Sequence, residues 1–298
     1  MILQNFVWDT SGNYGGSALF FRGDTATAQK LSDEQGKDVL QVPAGGKLLF
    51  DTYFNLFCVG KWRKYTEAHK MELAVTISGT GTLLLVGGRS FHSPGKNEEY
   101  VLDAISYDAE EPRTWNLKVK KEEEVAYCYL ILEAKRETRV FEAFFETKKE
   151  LARPIRIACC ICTYRREEYV KKNVRLLAET CFSQNSSMED FEIFVIDNGK
   201  TLSEQDFCDS YREKIHLIPN PNYGGSAGFT RGMLEAVIYR TGEPFTHILL
   251  MDDDIMLFPQ VIERTRDFLK MLRKEYRENI LGGAMLMQES GNIQAESC

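Results

Sequence analysis

Three consecutive carboxylates, Asp252-Asp253-Asp254, stand between the apolar runs His247-Ile248-Leu249-Leu250-Met251 and Ile255-Met256-Leu257-Phe258. Like charges at that spacing raise one another's pKa, and apolar flanks keep away the water that would screen them. A divalent cation removes that cost. Hard cations such as Mg2+ or Mn2+ take oxygen ligands, and a metal held by one or two carboxylates completes its shell with water and substrate phosphate. The chemistry indicated is metal-assisted handling of a diphosphate. A helix cap is the plainer alternative, since Asp favours the first helical turn, but a cap needs one Asp rather than three.

Other groups suited to the same ligand recur along the chain. Thr163-Tyr164-Arg165-Arg166 brings two guanidinium groups, which grip phosphate in a bidentate fashion. Asp197-Asn198-Gly199 offers a carboxylate and an amide to a base edge or a ribose hydroxyl, with a plain polar turn as the alternative. The run Asn222-Tyr223-Gly224-Gly225-Ser226-Ala227-Gly228-Phe229-Thr230-Arg231-Gly232 reads as a loop entering a helix. There glycines let backbone approach a ligand, and a helix N-terminus offers free N–H groups to an anion. It is not the phosphate-loop pattern, because no Gly-Lys-Ser/Thr follows, and the dinucleotide fingerprint would follow a first strand.

The elements that must position these groups alternate. A strand over Ile155-Ile161, a helix over Glu167-Glu179 with Val170, Val174 and Leu177 at helical spacing, strands over Phe191-Ile196 and Ile215-Ile218, a helix over Ala227-Tyr239, a strand over His247-Met251 and a helix over Pro259-Glu275 are expected. Such alternation means βαβ units and a parallel sheet, which binds ligands at the carboxyl ends of its strands. Each motif above falls at such an end.

Residues 1–150 read differently. Leu73-Ile77, Thr82-Val86, Tyr100-Ile105, Trp115-Val119 and Val125-Leu132 are short β-branched and aromatic runs separated by Gly, Pro or charge, which suggests a β-sandwich or jelly roll. No catalytic constellation is found there, and His69 and His92 read as surface or packing residues. The expected organisation is thus an all-β domain over 1–150 and an α/β nucleotide-binding domain over 151–298.

Composition narrows the class. A formal net charge of −7 does not suit a nucleic-acid partner. No apolar stretch approaches the ~20 residues that cross a bilayer, and the first residues lack a signal-peptide pattern, so a cytoplasmic protein is expected, with peripheral membrane association and homo-oligomer formation compatible with it. Cys159, Cys160 and Cys162 share one short run. Adjacent strand residues point to opposite faces, so reduced structural thiols are expected rather than a zinc site.

In their order, Cys162-Thr163-Tyr164-Arg165-Arg166, Val195-Ile196-Asp197-Asn198-Gly199, the Asn222–Gly232 loop and Met251-Asp252-Asp253-Asp254 resemble the GT-A fold of family 2 glycosyltransferases. More narrowly they are similar to the bifunctional galactofuranosyltransferases that polymerise a cell-wall galactan, whose N-terminal β-sandwich signature Asp51-Thr52-Tyr53-Phe54-Asn55-Leu56-Phe57 with Lys61-Trp62-Arg63-Lys64-Tyr65-Thr66 resembles. The resemblance implies an inverting, metal-assisted transfer from a UDP-sugar donor to a glycan or lipid-linked glycan acceptor. Galactofuranose as the sugar rests on the resemblance alone. Asp252 and Asp254 would hold Mn2+ or Mg2+, Asp253 would touch the donor sugar, and Asp197, beside Asn198, would contact uracil. Thr163, Tyr164 and Arg165, with Asn222, Gly224, Gly225, Gly228 and Arg231, would embrace the nucleotide. Alternation along an extended segment supports part of this independently, since Asp252 and Asp254 then point one way and Asp253 the other.

In that family the catalytic base lies well downstream of the metal motif and is followed by a metal-ligating histidine. Beyond Gly282-Gly283-Ala284-Met285-Leu286-Met287 this chain offers Glu289 and Glu296, so the base is expected beyond Cys298, and the chain reads as the donor-binding half of a longer enzyme with an incomplete GT-A domain. Two rival classes are a sugar nucleotidyltransferase, which would place its glycine loop and a lysine after the first strand, and a non-catalytic carbohydrate-binding or assembly protein.

Overall fold

The computed structural model describes residues 1–8, 19–23, 28–32, 38–89, 99–119, 124–149, 153–182, 188, 190–207, 209–239, 242–258, 260–283, 285–286 and 293–295. His92, Glu289 and Glu296 lie outside the described residues. Contacts divide the chain into two compact units, Met1–Leu151 with Met271–Cys298, and Ala152–Lys270. Among the described residues no helix is long and apolar enough to cross a membrane.

The first unit is antiparallel. Strands β1 (Ile2–Asn5), β2 (Arg22–Gly23), β3 (Gln29–Ser32), β4 (Asp38–Val42), β5 (Lys47–Leu49), β6 (Met71–Gly88), β7 (Glu99–Lys118), β8 (Tyr127–Ala134) and β9 (Thr138–Thr147) form one hydrogen-bonded sheet, with the short helix α1 (Val59–Tyr65) between β5 and β6. The runs Leu73-Ile77 and Thr82-Val86, expected as separate strands, are one strand, β6. It pairs along one edge with β9 and then β8, and along the other with β7. Tyr100-Ile105 and Trp115-Val119 likewise belong to one long strand apart from Val119; residues 110–112 have no Cα partner where Ile77 pairs with Arg113 and Gly79 with Ala109.

This sheet turns back on itself at that irregularity. The Lys118 N–H donates to the Asp103 carboxylate at 2.8 Å although both lie on β7. A straight strand rising ~3.3 Å per residue would hold them roughly 50 Å apart. Gly79 makes the bend feasible, with φ +115° and a hypothetical Cβ only 2.5 Å from the Glu137 carbonyl oxygen.

The Asp51–Phe57 segment has a structural explanation. Asn55 is fully buried; its amide donates to the Val7 and Phe20 carbonyls at 2.7 Å each and accepts from the Val7 N–H at 2.8 Å. Phe57 stacks on Phe145 with centroids 4.1 Å apart.

The second unit has a parallel sheet of β10 (Ile157–Thr163), β11 (Phe191–Asp197), β12 (Ile215–Pro219) and β13 (His247–Asp252), in the order β12-β11-β10-β13. Every residue of β11, and all of β10 except Cys162, is buried. A strand covered on both faces reads as a continuous apolar run, without alternation.

Helices α2 (Glu167–Cys181), α3 (Gly225–Leu234) and α4 (Gln260–Met271) complete this unit, and α3 continues into a π-helical turn, Glu235–Tyr239. Gly228 and Gly232 of α3 abut Cys162 and Cys160, which places α3 on the sheet face those side chains share. Asn173 of α2 reaches the turn after β13 beside the inward-facing Asp253, on the opposite face. Cys159 and Cys160 are buried free thiols, and burial pushes Cys160 up to about 12, where it stays protonated. Farther along, two short strands, Met285–Leu286 and Ile293–Ala295, pair antiparallel.

Candidate functional site

Parallel registration aligns the strand ends. Thr163 is opposite Asp197, and Cys162 is opposite both Ile196 and Asp252. The chain fills β10, β11 and β12 in one direction and then returns to the other side of β10, so the reversal of strand order falls between β10 and β13. Crevices at such reversals are where open α/β sheets take ligands.

The three aspartates part company there. Asp253 is 7% exposed, accepts from Thr163 Oγ1 at 2.7 Å, and has its pKa raised by burial against the opposing effects of that hydrogen bond and of Arg166. Asp252 and Asp254 are exposed. Asp254 pairs with the Arg166 guanidinium, which also lies 3.8 Å from Asp253. Crowding, the first expectation from composition, persists in part, since the Asp254 charge also raises the Asp253 pKa. Thr163 answers Asp253, and Arg166 answers Asp254 while lying near Asp253 as well; β13 ends at Asp252, so the other two aspartates stand in the turn, where strand alternation does not apply.

Asn173 makes this turn possible. Its side-chain amide donates to the Asp253 carbonyl at 2.8 Å and the Ile255 carbonyl at 2.9 Å. Sequence reasoning passed over it. The available signal was a polar residue on the apolar stripe of Val170, Val174 and Leu177, since a buried amide in a helix needs a defined partner.

At β11 the Asp197 carboxylate is 1% exposed and accepts the N–H groups of Gly199, Thr201 and Leu202 at 2.9, 2.7 and 2.9 Å. It holds the loop that follows the strand. Asn198 donates to Cys162 Sγ at 3.3 Å and accepts from Asn220 at 2.8 Å, tying the ends of β10, β11 and β12 together. Two non-glycine residues adopt left-handed backbone here, Arg165 (φ 56°) and Lys200 (φ 54°). Tyr164 is exposed, with the Arg165 guanidinium over its ring at 5.2 Å.

Farther along the loop, Asp206 receives Lys171 of α2 at 2.7 Å and accepts from the Ser203 N–H at 2.7 Å, and these contacts hold its carboxyl down at about 2. A depressed carboxylate contributes stability above its ordinary pKa of ~3.9 and loses it as pH falls through the depressed value. Carboxyl titration by NMR should place the Asp206 midpoint near 2, and Lys171→Met should move it upward.

The glycine loop delivers what its composition promises locally. Asn222 Oδ1 accepts from the Gly224 N–H at 3.1 Å, Gly224 has φ +88°, and a Cβ on Gly224 or Gly225 would meet nothing within 4 Å. No side chain caps the first turn of α3, so its N–H groups face the open side of this loop. Gly228 is buried where a Cβ would lie 2.1 Å from Cys162 Sγ, which brings the start of α3 against the β10 end whose partner is Asp252. Arg231 is two turns into the helix and pairs with Glu235 at 2.5 Å, with no described contact to the strand ends.

The donor set suits a hard divalent cation. Asp252 and Asp254 are exposed oxygen donors, and a guanidinium already stands against Asp254 as a cation of the same sign. Among the described residues no third acidic, histidine or cysteine side chain joins them in a group. Two carboxylates suffice for a metal whose remaining ligands are phosphate and water.

Residues 158–276 match the family described as Glycosyl transferase family 2. The second unit is a family 2 glycosyltransferase domain. Ahead of this glycosyltransferase domain, residues 7–145 match Galactofuranosyltransferase 2 N-terminal. The chain is 24% identical over 288 residues to the galactofuranosyltransferase GlfT2 of Mycolicibacterium smegmatis, covering 91% of this chain and 41% of that protein. The GlfT2 of Mycobacterium tuberculosis is 24% identical over 293 residues, covering 92% and 42%. The chain thus spans about two fifths of the length of these curated relatives. A carbohydrate-binding module of Cellvibrio mixtus lichenase 5A, solved with cellotriose, overlays 50% of this chain and 100% of its own at 11% identity and a TM-score of 0.30, a likeness too low to carry an inference.

Proposed function

We propose that this chain binds the donor for a metal-dependent, inverting glycosyltransferase of the GT-A type, using a UDP-sugar and delivering the sugar to a glycan or lipid-linked glycan in cell-wall or polysaccharide synthesis. The observation that carries the reading is the meeting of an uncapped, glycine-led helix start with exposed carboxylates at the ends of parallel strands in a family 2 domain. Galactofuranose is the sugar favoured by the names of the relatives. The β-rich N-terminal domain, read as a sandwich over 1–150, accompanies the nucleotide-sugar-binding domain that begins at 151, and the protein works in the cytoplasm, at the membrane face where lipid-linked acceptors are met.

Within this reading Asp252 and Asp254 hold Mn2+ or Mg2+, which when bound neutralises charge gathering on the departing diphosphate. The chain's own residues bind and orient. Thr163 fixes the side chain of Asp253 and Asn173 its backbone, which sets this residue beside the donor sugar. Asp197 and Asn198 hold the loops that flank the base, and the Asn222–Gly228 backbone takes the phosphates. Titration calorimetry with UDP and Mn2+ tests the proposal. Asp252→Ala and Asp254→Ala should each weaken metal-supported UDP binding by about tenfold or more, in line with a charge-assisted contact of roughly 1.5–3 kcal/mol. A folded chain that does not bind, or undiminished binding in both variants, would sink it.

A further inference from the structure

Arg166 occupies the N-cap position of α2, and its half-exposed guanidinium pairs with Asp254 while lying 3.8 Å from Asp253 Oδ1. Asp253 cannot follow it outward, because Thr163 Oγ1 and Asn173 hold its side chain and carbonyl in the wall. Arg166 therefore neutralises the outer carboxylate of the motif from a side chain free to leave it. One carboxylate cannot serve a guanidinium and a divalent cation at full strength, since the two cations repel at contact range.

We propose that Arg166 is a displaceable counter-ion that competes with the divalent cation for Asp254, so that metal and nucleotide bind in concert. In the metal-free chain Arg166 screens Asp254 and lowers its affinity for the ion. When the ion takes Asp254, the guanidinium is released beside a site that receives a diphosphate, which it can grip in a bidentate manner. Nucleotide thereby offers Arg166 an alternative anion and removes the competitor from the metal. The role is one of positioning: Arg166 sets the order and coupling of ligand binding. It rests on the reading of Asp252 and Asp254 as metal ligands.

Mn2+ binding followed by electron paramagnetic resonance, without and with UDP, separates the two ideas. In the absence of UDP, Arg166→Gln should bind Mn2+ about three- to fivefold more tightly than the parent, the range expected for removing a partly exposed ion pair. UDP should strengthen Mn2+ binding less in Arg166→Gln than in the parent, while Arg166→Lys, which keeps the charge, should stay near the parent value without UDP. Asp254→Asn should abolish Mn2+ binding, leaving the full signal of the free aqueous ion. Loss of binding in Asp254→Asn together with unchanged or weaker binding in Arg166→Gln overturns the counter-ion role and leaves the metal site standing. Binding that persists in Asp254→Asn overturns both.

Discussion

Gly228→Val should destabilise the glycosyltransferase unit by roughly 3 kcal/mol and remove most UDP binding, because overfilling a packed contact costs ~1–3 kcal/mol and a β-branched side chain adds to it. The first carbon beyond the backbone already lands 2.1 Å from Cys162 Sγ, 3.1 Å from the Asn198 amide nitrogen and 3.3 Å from Cys162 Cβ. Alanine is the sharper probe, since two effects of opposite sign meet there. Replacing a helical glycine by alanine gains at most ~1 kcal/mol of helix propensity, less near a helix start, and the clash must exceed that gain for Gly228→Ala to destabilise. With Cys162→Ala in the background the sulfur is gone, so Gly228→Ala should become neutral or stabilising. Urea unfolding of the four-member cycle reads this coupling directly. Additive effects would mean that α3 does not seat on β10 through this contact.

That dependence on a contact between distant parts of the chain marks the boundary of what could be read from the residues. The buried strands were legible because coverage on both faces demands continuous apolar runs, as in Ile157–Thr163 and Phe191–Asp197. The loop entering α3 was legible because glycine clusters have few other uses, although the helix starts at Gly225 rather than Ala227. In the first unit Gly79 and Gly81 looked like the end of one strand and the start of another. They lie within β6, where absent side chains let the sheet bend past the Glu137 and Glu133 carbonyls. Glu110-Glu111-Pro112 looked like a break for the same reason and is an unpaired excursion inside β7.

The acidic motif shows the same division at the scale of single side chains. Its composition announced a cation. The alternation expected to set Asp253 apart from both neighbours stops where β13 ends, at Asp252, and Asp253 and Asp254 share Arg166 in the turn. Which carboxylate would be buried, and what would answer it, depended on Thr163 and Arg166, remote in sequence. Asp197 is a further case. A carboxylate at a strand end can face a ligand or its own loop, and only the fold reveals that the N–H groups of Gly199, Thr201 and Leu202 converge on it.

Asn173→Leu should cost about 3 kcal/mol and misplace the carboxylates on either side of Asp253. The substitution keeps bulk on the buried stripe of α2 but removes both donors, leaving the carbonyls of Asp253 and Ile255 without the amide that joins them at 2.8 and 2.9 Å. Each buried carbonyl left unanswered costs ~1–3 kcal/mol, offset in part by the added apolar surface. To recover those partners the turn must move toward water, and Asp252 and Asp254 must move with it. Asn173→Asp is the companion test: it keeps the shape, offers no donor when ionised, and sets a charge against two carbonyl oxygens, so it should lose more stability than leucine. Metal-supported UDP binding should fall in both variants under conditions where the chain remains folded. A leucine variant within ~0.5 kcal/mol of the parent, the scatter expected for an uninvolved site, would show that the turn keeps its shape without Asn173. A clear stability loss with unaltered UDP binding would instead separate the architecture of the turn from the positioning of its carboxylates.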